Sequence, residues 1–118
     1  MVKIFHASDN QPVKRAGYSA QYIADVVFRE PVDTAGFILV RIPAGGRTKA
    51  HYHSNLEEVF IAMNPMKLGV VTEIFEMEEG DVALVEPGEE HWFEAPSTHD
   101  VTVVAVKIPN LKDDKATK

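Results

Sequence analysis

The chain is predicted to be a single all-β domain, and three observations support this. Short apolar runs rich in branched and aromatic residues alternate with turn formers at intervals of about ten residues, the spacing of a sandwich or barrel. No segment sustains a helical period of apolar residues. The length, 118 residues, fits one compact domain and leaves no room for two.

The elements follow in order. Tyr18 to Phe28 is the weakest strand candidate, carried by Tyr22, Ile23, Val26 and Val27. Phe37 to Ile42 is a strong run that stops at Pro43-Ala44-Gly45-Gly46. Val59 to Met63 stops at Asn64-Pro65, and Leu68 to Met77 stops at Glu78-Glu79-Gly80-Asp81. Val82 to Val85 ends before Pro87-Gly88, His91 to Glu94 before Pro96, and Val101 to Ile108 at Pro109. The domain is expected to span residues 1–110, with 111–118 a polar tail that frays.

Several runs are apolar at consecutive positions. Val101, Val103 and Ala105 interleave with Val104 and Val106, and Val59 and Ile61 flank Phe60. A sheet with one face in water would be polar at alternate positions. The outer face therefore requires a cover, either a second sheet or a second subunit. Together with Trp92, these runs predict a homodimer.

Composition narrows the function. The formal charge of −6 argues against nucleic acid, whose binding depends on neutralising phosphates with Lys and Arg. No apolar run is long enough to span a bilayer. Met1 to Ala7 lacks the apolar stretch of a signal peptide, so the cytoplasm is the expected location. With no cysteine, thiolate metal sites, disulfides and a Cys nucleophile are excluded.

Two blocks carry the chemistry. His51 and His53 are two apart, so on a strand both side chains leave the same face. Glu57 and Glu58 follow, and His91 arrives after the Pro87-Gly88 turn. Imidazole nitrogens with one carboxylate oxygen suit a divalent first-row metal. Strand parity does not choose between the glutamates, because Ser54-Asn55-Leu56 can bend the strand. Phe60 and Phe93 lie two positions from Glu58 and His91, on the inward face, and are expected to line the ligand pocket. Lys49, two before His51, is expected at its mouth, where it would favour an anionic ligand. Gly45-Gly46 belongs to a turn and not to a phosphate cradle.

These blocks resemble the paired motifs of the cupin superfamily. Gly45, His51, His53 and Glu58 fall at the positions of the first motif, and Gly80, Gly88 and His91 at those of the second. The chain departs from the pattern at Asn64-Pro65, where the first motif closes on glycine. It departs again at Glu86, which stands at a proline position, and at Ala95, which stands at an asparagine position. None of these is a metal ligand. The resemblance implies a jelly-roll β-barrel, or double-stranded β-helix. It also implies one divalent first-row transition metal per chain, held by His51, His53, Glu58 and His91. Glu58 is preferred over Glu57 by the family's commoner spacing. An octahedral metal so held keeps two positions open to water or substrate, as a catalytic site requires. The resemblance implies a metal-dependent enzyme acting on a small polar or anionic metabolite, of the dioxygenase, decarboxylase, isomerase or lyase class. The alternative is a non-catalytic, metal-bearing module that binds or senses a small ligand.

Overall fold

The computed structural model describes residues 1–29 and 31–117. It is all-β, with one short 3-10 turn at Ala7–Asp9. The strands are β1 (Lys3–Phe5), β2 (Val13–Arg15), β3 (Tyr18–Ala20), β4 (Gly36–Ile42) and β5 (Glu57–Ala62). They continue with β6 (Met66–Val70), β7 (Glu73–Met77), β8 (Val82–Val85), β9 (His91–Glu94) and β10 (Val101–Ile108).

Three sheets form, all antiparallel: a five-stranded sheet in the order β1-β8-β5-β10-β4, a three-stranded sheet β7-β6-β9, and the β2-β3 hairpin. The larger two face each other across a core of Phe60, Leu68, Met77, Phe93, Val101 and Val103. The strands β8, β9 and β10 coincide with the predicted runs. The run from Leu68 to Met77 is instead two strands, joined at Val71-Thr72. Val71 adopts φ 56°, a conformation that disfavours branched side chains, so its residue type gives no turn signal.

Parity explains why the large sheet is apolar on both faces. Residues 83, 85, 101, 103 and 105 look into the core with Phe60 and Ala62. Val59, Val82, Leu84, Val106 and Ile108 look outward and form a second cluster. That cluster is covered by Phe5, Ile23, Ala24, Val26 and Phe28 of the same chain. Neither a second sheet nor a second subunit is the cover. Beyond Ala20 the predicted Tyr18–Phe28 strand is an irregular segment, which lays Ile23, Ala24, Val26 and Phe28 on this face. Val59, Val101 and Val103 are therefore buried within one chain and supply no dimer surface.

Asp81 ties the N-terminal segment to the sheet. Its buried carboxylate accepts the Ala7 amide at 2.9 Å, the Glu78 amide at 2.8 Å and His6 Nδ1 at 3.0 Å. Burial alone would raise its pKa, but these bonds outweigh it and hold the carboxyl below its usual range.

Within the described residues, the polar tail is tied back to the first histidine block. The Asp114 carboxylate accepts the backbone amides of Ser54 (2.8 Å), Asn55 (2.7 Å) and Leu56 (3.1 Å). Ala116 forms an antiparallel bridge with Tyr52. The bend after His53 leaves amides without ladder partners, and a carboxylate in the tail satisfies them.

Candidate metal centre

The two sequence blocks meet through their backbones. His51 and His91 face each other as an antiparallel bridge, with amide-to-carbonyl bonds of 3.1 and 2.9 Å. Their ring centroids lie 4.5 Å apart, and the His53 ring lies 5.0 Å from His51 and 5.5 Å from His91. The Gly88 amide bonds the His53 carbonyl at 2.7 Å, so the Pro87-Gly88 turn places His91 against the first block.

Glu58 completes the group. On β5 it shares the inward face with Phe60, while Glu57 points outward and accepts the Arg29 amide at 3.0 Å. One oxygen of Glu58 lies 2.9 Å from His53 Nε2 and 3.3 Å from His91 Nε2. One potential ligand atom from each of His51, His53, Glu58 and His91 falls within 4.8 Å of the others, so the four could hold a metal ion.

The tautomers favour a cation at this point. His51 Nδ1 donates to the Lys49 carbonyl at 3.3 Å and His91 Nδ1 to the Glu89 carbonyl at 2.9 Å. His53 Nδ1 donates to the Asp114 carbonyl. A carbonyl only accepts, so each Nδ1 carries hydrogen and each neutral ring presents a bare Nε2. His53 Nε2, His91 Nε2 and Glu58 Oε1 are buried and make no hydrogen bond of proper geometry. Lone pairs facing lone pairs at 2.9 and 3.3 Å require a proton or a metal between them. The donor set therefore fits a divalent ion.

The electrostatics agree. Burial alone would raise the Glu58 pKa, but the contacts with His53 and His91 reverse this and lower it to about 2. Burial would lower that of His53, but Glu58 and the Asp114 carbonyl outweigh it and raise it. His51 is lowered to about 4, chiefly by burial, then by the charge of His91, with a smaller contribution from Lys115.

The group opens into a cavity of about 320 Å3. Phe60 and Phe93 form its wall, their rings edge to face at 4.8 Å, and Lys49 lines it as well. His6 and His99 lie outside it: His6 bonds Asp81, and His99 Nε2 donates to the Pro65 carbonyl at 2.9 Å. Trp92 faces away, packed under the Arg47 guanidinium at 4.9 Å. Sequence reasoning missed Lys107, Lys115 and Thr117, which also line the cavity. Lys107 had a legible signal, because it follows Val101, Val103 and Ala105 at the inward parity of the last run. The tail residues had none.

An all-β fold of facing antiparallel sheets around a candidate site of three histidines and a glutamate defines the class. Residues 38–107 match the family model described as "Cupin domain", and the chain belongs to that family. No curated protein sequence is significantly similar to it. Among solved structures it is similar to a cupin protein from Bacteroides fragilis (16% identity, TM-score 0.61, covering 75% of this chain and 85% of that one). A predicted oxalate decarboxylase from Thermotoga maritima is 23% identical, with TM-score 0.58, covering 62% of this chain and 64% of that one. Oxalate decarboxylase from Bacillus subtilis, described with Mn(II) centres, is 18% identical, with TM-score 0.64, covering 71% of this chain and 24% of that one. At these identities the likeness concerns the fold.

Proposed function

We propose that His51, His53, Glu58 and His91 bind one divalent first-row transition metal, and that the chain is a metal-dependent enzyme for a small anionic metabolite. The observation that carries this is the convergence of buried, unpartnered Nε2 atoms on Glu58, with every Nδ1 committed to a carbonyl. Such an ion supplies Lewis-acid polarisation of a coordinated carboxylate or carbonyl oxygen. Phe60 and Phe93 exclude water from one side, and Lys49 attracts and orients the anion. The reaction belongs to the decarboxylase, lyase, isomerase or dioxygenase types. A cupin with Mn(II) centres among the structural neighbours supports the metal assignment.

One observation favours a second reading, a metal-bearing binding module without turnover. Among the described residues Glu58 is the only carboxylate lining the cavity, and no histidine lines it beyond the three candidates, so general acid–base work would fall to a lysine. Elemental analysis followed by oxygen-uptake and small-acid turnover screens tests both. Metal-loaded protein that binds acids but turns none over favours the module, and protein that takes up no metal refutes the assignment.

Metal affinity should rise with pH. Protonation of His53 stabilises the metal-free protein below the ordinary histidine pKa, and that contribution is lost as pH rises through its raised value. Metal must displace this proton, so Kd should fall by about tenfold or more from pH 5.5 to 6.5. His51, lowered to about 4, and Glu58, lowered to about 2, are already in binding form and add little. A competition titration with Zn2+ giving the same Kd at both pH values would contradict the site.

We also propose a homodimer, now on a different surface. Phe37 and Leu39 are 75% and 56% exposed on the outer face of β4, the edge of the large sheet, beside Val104. Light scattering should give twice the chain mass, and Phe37→Asp should return it to one chain. A wild-type monomer at micromolar concentration counts against the dimer.

A further inference from the structure

The cavity is cationic in an acidic chain. The sequence holds 18 acidic residues against 12 Lys and Arg, yet the cavity is lined by Lys49, Lys107, Lys115 and one acid, Glu58. That acid is engaged by His53 and His91. Lys107 stands opposite Glu58 in the β5–β10 register and is half-buried. Among the described residues neither Lys107 nor Lys115 has a carboxylate within 4.0 Å. Lys115 is exposed, but a half-buried lysine such as Lys107 without a counter-ion is costly unless a ligand supplies one.

The two lysines come from different parts of the chain. Lys107 is on β10 of the large sheet. Lys115 is on the tail, between the Asp114 latch and the Ala116–Tyr52 bridge. The Asp114 latch thus fixes how far Lys115 stands from the sheet.

We propose that Lys107 and Lys115 form a divided cationic clamp that selects a small dianion, one anionic group directed to the metal centre and the other held between sheet and tail. Asp114 acts as a positioning residue by latching the tail. This rests on the reading of a metal-dependent site for an anionic ligand and names the charge of that ligand. A monoanion would satisfy the metal and leave the lysines unpaired, and a neutral sugar would satisfy neither. A charge-assisted contact is stronger than a neutral one, and the half-buried Lys107 offers the better shielded of the two.

The test is calorimetric titration of the purified protein with succinate and with butyrate, which differ by one carboxylate. Wild type should prefer succinate by tenfold or more. Lys107→Met and Lys115→Met should each weaken succinate by about tenfold and leave butyrate nearly unchanged, as loss of one charge-assisted contact predicts. Lys115→Arg should retain most of the preference. Asp114→Ala should weaken succinate as Lys115→Met does, and combining the two should add little, because one acts through the other. Equal affinities for succinate and butyrate in wild type, or additive effects of Asp114→Ala and Lys115→Met, overturn the clamp. Elemental analysis of the same samples scores the metal separately. Metal-free protein with lysine-dependent succinate binding would refute the metal reading and leave the clamp standing, whereas metal-loaded protein blind to the second carboxylate would do the reverse.

Discussion

His91→Ala should abolish stable metal binding while leaving the fold in place. The bridge between His91 and His51 uses backbone atoms only, so alanine keeps both hydrogen bonds. What is lost is a buried Nε2 that faces Glu58 at 3.3 Å. Removing even an outer-shell partner of a metal ligand costs about 10–100-fold in affinity, so loss of a ligand should cost more than about 100-fold. Wild type should retain about one metal per chain after dialysis and the variant almost none. The thermal readout should follow. A ligand present at about 1,000 times its Kd stabilises the native state by about 4 kcal/mol, and added metal should raise the Tm of wild type alone. Glu58→Ala should behave like His91→Ala. Glu57→Ala should keep its metal, because Glu57 faces Arg29 on the far side of β5. Unchanged stoichiometry in His91→Ala, or metal loss in Glu57→Ala with retention in Glu58→Ala, would overturn the assignment.

Much of this site is legible in the sequence alone. The spacing of His51 and His53 declares one face of an extended segment, and Pro87-Gly88 declares the turn that delivers His91. The choice between Glu57 and Glu58 is not, because it depends on how the bend at 54–56 resets parity. The bend is held by Asp114, distant in sequence, whose carboxylate answers three amides. A tail of Lys and Asp reads as solvated because composition reports charge and not the amides that charge can cap. The apolar outer face is legible, but its cover is not. Ile23, Val26 and Phe28 are spaced too irregularly for a regular strand, and only the fold shows that they lie on the outer cluster that includes Val59 and Leu84. Lys107 is hard to read as a pocket residue, because it closes a run dominated by valines and one charge near the end of such a run resembles a boundary.

The second large effect lies outside the site, at Gly69. This glycine is central in β6, paired with Ile74 on one side and Trp92 on the other. A Cβ built there would lie 2.0 Å from Trp92 Cε2 and 2.2 Å from Cζ2. Trp92 is only 8% exposed, held between Gly69 and the Arg47 guanidinium, with its Nε1 donating to Glu94 at 2.7 Å. The indole cannot yield by a few tenths of an ångström, so Gly69→Ala must displace it. Overpacking of this kind costs about 1–3 kcal/mol, and Gly69→Val should reach the top of that range. For a domain of this size about 3 kcal/mol lowers Tm by roughly 10 °C or more. Trp92 is the only tryptophan, so its fluorescence should shift to the red as the ring enters water. The two residues should also be coupled. Once Trp92→Ala has removed the indole, adding Gly69→Ala should cost little, and the double variant should be far more stable than the sum of the single losses predicts. Metal uptake should survive, because Trp92 projects from the opposite face of β9 to His91 and Phe93. Wild-type stability and an unshifted emission spectrum in Gly69→Val would show that the indole does not pack on this glycine.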